Sequence, residues 1–111
     1  MEVTPKILID YETASGNCPI REWLNSLDGP IGARIEARLK RVARGNYGDV
    51  KPVGQGVSEL RLKFGSGYRI YFSQHGEEII ILLCGGDKGS QTDDIEIAKS
   101  YLADFKRRNN V

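Results

Sequence analysis

A chain of 111 residues with a formal net charge of +1 fits one small domain, residues 1–111, long enough for a core and too short for two. The near balance of charge gives no global drive toward nucleic acid or an anionic membrane, so any electrostatic function has to come from local clustering. Cys18 and Cys84 lack the CxxC spacing of zinc or redox sites, no charged leader opens the chain, and no apolar run approaches the ~20 residues of a membrane helix, so a cytoplasmic protein with reduced thiols and no membrane association is expected.

In chain order, PKILIDYE (5–12) sets Ile7, Ile9 and Tyr11 at alternate positions and predicts a first strand. In NCPIREWLNSLDGP, Asn17 suits a helix cap and Pro19 the first turn, while Ile20, Trp23, Leu24 and Leu27 form an apolar stripe that ends at Asp28-Gly29. A second helix is predicted over Pro30–Arg44, with Ile31, Ile35, Leu39 and Val42 on one face, Arg34, Arg38 and Arg41 on another, and Gly45 closing it. The glycine-rich NYGDVKPVGQGVS reads as a loop.

ELRLKFGSGYRIYF (59–72) then alternates strictly. Leu60, Leu62 and Phe64 oppose Glu59, Arg61 and Lys63; after the glycines, Tyr68, Ile70 and Phe72 oppose Arg69, Tyr71 and Ser73. Side chains of a strand alternate between its faces, so this hairpin has one apolar face and one carrying Arg61, Lys63, Arg69 and Tyr71. Such a face is the ordinary wet side of a half-covered sheet, or a surface that holds an anion. IIILLC (79–84) follows as a buried strand, with His75 in the turn before it. A last helix is expected over Thr92–Arg107, with Ser90 and Asp93 as a capping box, Asp93 and Asp94 on the positive end of the dipole, and Ile95, Ala98, Leu102 and Phe105 as its stripe. Trp23 and Tyr68 read as core, and Gly65, Gly67, Gly85 and Gly86 as turn residues. The order strand-helix-helix-three strands-helix implies an α+β fold of two layers, a mostly antiparallel sheet with its helices on one face and the other face open. No set of residues matches a Ser/His/Asp triad, a metal cage or a phosphate-binding glycine loop, so neither metal nor cofactor is expected.

The SGYR turn and strand, the GGDK exit and the run WLNSLDGPIGARIEARLKRVARGNYGDVKPVGQGV together resemble the addiction-module killer proteins, a phage-derived HigB-like branch of the RelE/ParE toxin superfamily, over about Tyr11 to Lys106. The resemblance implies a RelE-like fold and a toxin neutralised by a small helix-turn-helix antitoxin encoded nearby, through which alone it would meet operator DNA. In the RelE branch it implies an endoribonuclease that cuts mRNA on the ribosome; in the ParE branch, a gyrase inhibitor. A degenerate toxin that keeps only antitoxin binding is a third reading. By position, Arg69 matches the arginine placed against the scissile phosphate, and Lys88 a residue, usually arginine, that contacts the same phosphate. Arg61 and Lys63 match basic strand positions that assist proton transfer or grip RNA. Glu59 is the nearest acid for a general base, Tyr71 an aromatic that can stack on a base, and Arg34, Arg38 and Arg41 a stripe suited to ribosomal RNA phosphates. Where many ribosome-dependent members carry a tyrosine in the first turn of the last helix, this chain has Asp93, Asp94 and Ile95.

Overall fold

A computed structural model describes residues 5–111. The first four residues, on which the expected absence of a leader partly rests, lie outside them. The elements are β1 (Ile7–Asp10), α1 (Pro19–Ser26), α2 (Gly29–Ala43), β2 (Val50–Gly54), β3 (Val57–Leu62), β4 (Tyr68–His75), β5 (Ile79–Gly86), a 3-10 turn (Lys88–Ser90) and α3 (Gln91–Asn109). The strands form one sheet in the order β1-β5-β4-β3-β2, antiparallel except where β1 runs parallel to β5. The α+β class and mostly antiparallel sheet are as expected. Among the described residues, no helix is long and apolar enough to cross a membrane.

One expectation fails: the helices do not share a face. Leu60, Leu62, Ile70, Phe72, Ile80 and Leu82 pack under α1 and α2, with Ile20, Leu24, Ile35, Leu39 and Val42. The opposite parity, Val57, Tyr71, Ile81 and Leu83, is covered by Ala98 and Leu102 of α3, with Tyr11 alongside. The cause is legible afterwards in β5, whose run is apolar at both parities and therefore has two faces to bury. A bulge between Tyr71 and Phe72, where Tyr71 pairs with Cys84 and Phe72 with Leu82, leaves Leu83 unpaired, so Leu83 and Cys84 both turn toward α3. Burial pushes the Cys84 thiol up to about 12.

The second difference is β2, a strand where a loop was expected. Pro52 has no N–H to give a ladder, but β2 is an edge strand, where proline is tolerated, and its register shifts between Pro52 and Gly54. Gly54, Gln55 and Gly56 all take positive φ and reverse the chain into β3. In β1, Leu8 packs on the α1/α2 core while Ile7 is 58% exposed. Helix boundaries fall within two residues of expectation at α1 and α2, with Pro19 in the first turn, but Asn17 does not cap; Cys18 occupies that place without a side-chain bond. Trp23 and Tyr68 pack on the core, 6.2 Å apart edge to face. His75 lies half-buried at the end of β4 against Phe105, at 5.7 Å, rather than free in the turn.

Gly85 and Gly86 are strand residues, not turn residues. A Cβ on Gly85 would fall 2.2 Å from the Trp23 ring, and one on Gly86 would fall 1.8 Å from Asp94 Oδ2. β5 therefore passes between α1 and the start of α3 with no room for side chains. Gly85→Ala is expected to cost about 2 kcal/mol through forced displacement of the indole, read as a lowered urea midpoint with a shifted Trp23 emission; an unchanged midpoint would contradict this packing. Cys84 should resist alkylation in the native protein at mildly alkaline pH and react only on unfolding, as peptide mass spectrometry would show.

Candidate functional site

α3 covers only part of its sheet face. Its first residue, Gln91, stops level with Glu59, and beyond that the same face carries Arg61 and Lys63 from β3 and its exit, and Arg69 from β4. The cross-strand register is the reason: Glu59 pairs with Tyr71, Arg61 with Arg69, and Arg69 with Gly86 on its other side. Two arginines thus stand directly opposite each other, an arrangement that repels unless anions are supplied. The protein supplies one to each. Arg61 Nη2 donates to Asp49 Oδ1 at 2.9 Å, with Lys63 Nζ 3.5 Å from Asp49 Oδ2. Arg69 Nε lies 3.5 Å from Glu59 Oε2, an ion contact without a hydrogen bond, and its side chain is 13% exposed against 1% for Glu59.

Glu59 is anchored from two further sides. Gln91 Nε2 donates to Glu59 Oε2 at 2.8 Å and the Tyr71 hydroxyl donates to the same oxygen at 3.2 Å. Burial, then the Glu59 charge, pushes the Tyr71 hydroxyl well above its ordinary value, so it stays a donor. Tyr71 is fully buried under α3 and offers no face for a base to stack on. Glu59 is likewise enclosed rather than open to solvent. Both placements depart from expectation for one reason: α3 closes the face the sequence had left open.

Arg69 and Lys88 both border Gly67 at the hairpin tip. Arg69 Nη1 donates to Gly67 O at 2.8 Å, and a Cβ on Gly67 would lie 3.2 Å from Lys88 Cβ and 3.3 Å from Arg69 Nη1. The hairpin tip and the GGDK exit are tied together by Lys88 N–H to Ser66 O at 3.3 Å and Ser66 Oγ to Asp87 Oδ2 at 3.3 Å. Asp87 also caps the 3-10 turn, accepting from Gly89 and Ser90 N–H, so the capping box is Asp87 with Ser90, not Ser90 with Asp93. Ser90 Oγ instead donates to Asp94, with Asp93 exposed.

The buried side-chain polar atoms left without a hydrogen bond, among the described residues, are Asp49 Oδ2, Glu59 Oε1, Arg61 Nε and Arg69 Nε. All four belong to this cluster. Two are guanidinium donors on opposed residues, and an orphaned buried donor marks a place where a partner is missing. Lys63, 81% exposed, and the exposed Lys88 stand at the rim. No group of His, Cys, Asp or Glu among the described residues is arranged to hold a metal ion.

The α2 arginines lie on the other side of the sheet and do not behave alike. Arg38 is committed to the fold: its Nε and Nη2 donate to Tyr47 O at 3.1 and 2.9 Å, and its Nη1 to Arg61 O at 3.2 Å. Desolvation lowers its pKa. Arg34 and Arg41 are exposed and, with Arg38, Ala37, Leu62, Lys63 and Phe64, line a cavity of about 320 Å³. Asp49 and Gln91, both in contact with the cluster, were not singled out in the sequence. Neither sits in a periodic pattern, and only a bend at Gly48 and the start of α3 bring them there.

Replacing Glu59 with alanine removes the anion beside a buried arginine and should cost about 3 kcal/mol in urea unfolding; a change within error would mean that Arg69 needs no partner. Asp49 is held below the usual carboxylate range by its hydrogen bond from Arg61, with the Arg61 and Lys63 charges adding. Because the folded value is depressed, its contribution is full above the unfolded value of about 3.9 and is lost as pH falls through the folded one. Asp49→Asn should therefore flatten the acid limb of the stability profile; an identical slope would deny the pairing.

An uncharacterized protein of Haemophilus influenzae is 47% identical over 78 residues, which cover 69% of this chain and 79% of that protein. The family described as "Phage derived protein Gp49-like (DUF891)" matches residues 22–106, from within α1 almost to the end of α3, and so includes every residue of the cluster. On that match the chain belongs to the phage-derived Gp49-like family, a RelE-like family associated with toxin–antitoxin systems.

Proposed function

We propose that this chain is a toxin that acts as a ribosome-dependent mRNA interferase, a metal-independent endoribonuclease that halts translation. The observation that carries the reading is the cross-strand pair Arg61 and Arg69, directly opposed where α3 ends its cover of the sheet face, with the exposed Lys63 and Lys88 beside them. A phosphodiester is an acceptor of the right charge for both arginines. In the cleavage, the ribose 2′-oxygen loses its proton and attacks phosphorus, and the bond to the 5′-oxygen breaks as that oxygen is protonated, leaving a cyclic phosphate. Arg69 and Arg61 stabilise the charge that grows on the non-bridging oxygens, and Lys88 adds a point charge beside them. Glu59, enclosed and held by Gln91 and Tyr71, serves as a positioning residue for Arg69 rather than as the base. Lys63, Arg34 and Arg41 supply phosphate contacts; Arg38, spent on backbone carbonyls, does not. The partner that restrains the protein is a small helix-turn-helix antitoxin covering or distorting the basic face, and operator DNA is reached through it.

The test is to induce the wild-type protein and Arg69→Ala in matched cultures and map transcript 5′ ends within minutes. New ends inside translated frames, in fixed phase with codons, are expected for the wild type, with a loss of about 100-fold to 1000-fold in the variant. Growth arrest with intact transcripts would overturn the reading and direct attention to gyrase supercoiling.

A further inference from the structure

The cavity beside α2 holds an arrangement that the cleavage site does not use. Arg34 Cζ lies 3.8 Å from the centroid of the Phe64 ring, close enough for the guanidinium to rest against the ring face, worth about 1 kcal/mol at an exposed site. Phe64 is itself fixed, packed on the α1/α2 core and 5.4 Å from the Tyr68 ring. Arg34 is exposed, so a planar cation is braced on one side and open on the other. Around it stand Arg41 and Lys63, and no carboxylate lines the cavity. Three exposed cations, Arg34, Arg41 and Lys63, line it beside the committed Arg38, a local excess in a chain whose net charge is +1. Lys63 borders both this cavity and, through Asp49, the Arg61/Arg69 cluster. The two sites therefore meet at the exit of β3, on either side of the hairpin tip.

We infer that the Arg34–Phe64 pair is a stacking platform for one unpaired base of a single RNA strand, with Arg41 and Lys63 on its flanking phosphates, and that the strand continues over the hairpin tip to Arg69. Single-stranded RNA is the occupant because it combines both features of the cavity: a flat base that stacks on a guanidinium plane, and phosphates for the cations around it. An acidic protein segment matches the charge alone. The inference rests on the RNA-cleaving reading and deepens it by assigning a nucleotide site remote from the scissile bond.

The experiment measures equilibrium binding of a short single-stranded oligoribonucleotide, and of the same strand with an abasic site scanned along it, to the wild type, Arg34→Lys and Arg69→Ala. Arg34→Lys keeps the charge and the helix propensity and loses only the planar face. It should bind the intact strand about tenfold more weakly with an unchanged salt slope. One abasic position should weaken wild-type binding and abolish the difference between wild type and Arg34→Lys. Arg69→Ala, which should lose cleavage in cells, should keep the Arg34 dependence: adding Arg34→Lys to it should weaken binding by about the same tenfold. Equal binding of the wild type and Arg34→Lys to the intact strand would overturn the platform while leaving cleavage standing. Absence of RNA binding by the wild type would likewise overturn the platform, while the cleavage reading is decided separately by the transcript 5′ ends. Tighter capture of a glutamate-rich peptide than of the strand would overturn the inference in favour of a protein partner.

Discussion

The fold turns on a buried carboxylate. Glu59 sits in the middle of β3 with no access to solvent, on a sheet face that α3 covers. A charge in that place is stable only if polar groups close around it. Gln91 closes it from the helix, Tyr71 from the neighbouring strand, and Arg69 from two residues further along that strand on the same face. Gln91 is the first residue of α3, so the helix begins level with Glu59. That single boundary decides which part of the face is core and which part stays bare, and the bare part is the cationic cluster.

The cluster is poised by a local imbalance. Arg61 and Arg69 are opposed at one register position, and each is given an acid from a different direction: Asp49 from the edge, and Glu59 from beneath the helix. Neither acid saturates its arginine, since both Nε atoms remain without an acceptor. The protein thus tolerates like charges at close quarters, with one oxygen of each acid and the Nε of each arginine left without a hydrogen bond. Arg38 contributes to the same end from the opposite side of the sheet. By binding the carbonyls of Tyr47 and Arg61 it ties α2 to the approach to β2 that carries Asp49. An arginine expected in a stripe for ribosomal RNA phosphates is therefore a tie between layers, while Arg34, one turn earlier, is braced on an aromatic ring.

The narrow passage at Gly85 and Gly86 shows how the same design constrains the backbone. The ladder places Gly86 beside Arg69, and Asp94 of α3 comes in where a side chain would have been. On the other face the Trp23 ring lies against Gly85. α1 and α3 can approach β5 at one level from both sides only because two successive residues have no Cβ.

The amino-acid sequence by itself determined the helices, four of the five strands, and the basic residues of the hairpin, because periods of 3.6 and 2 and the local chemistry of Pro19, Gly45 and the hairpin glycines act within a few residues. It also brought Arg69 and Lys88 into one proposal, through the pairing of SGYR with GGDK. Only the tertiary structure decided that α3 lies on the opposite face from α1 and α2, that Tyr71 and Glu59 are buried, and that Asp49 and Gln91 join the cluster. The physical reason is that alternation says which residues share a face but not what covers it. A helix that packs across the sheet turns half of a polar-looking face into core, and leaves the remainder as the cationic cluster.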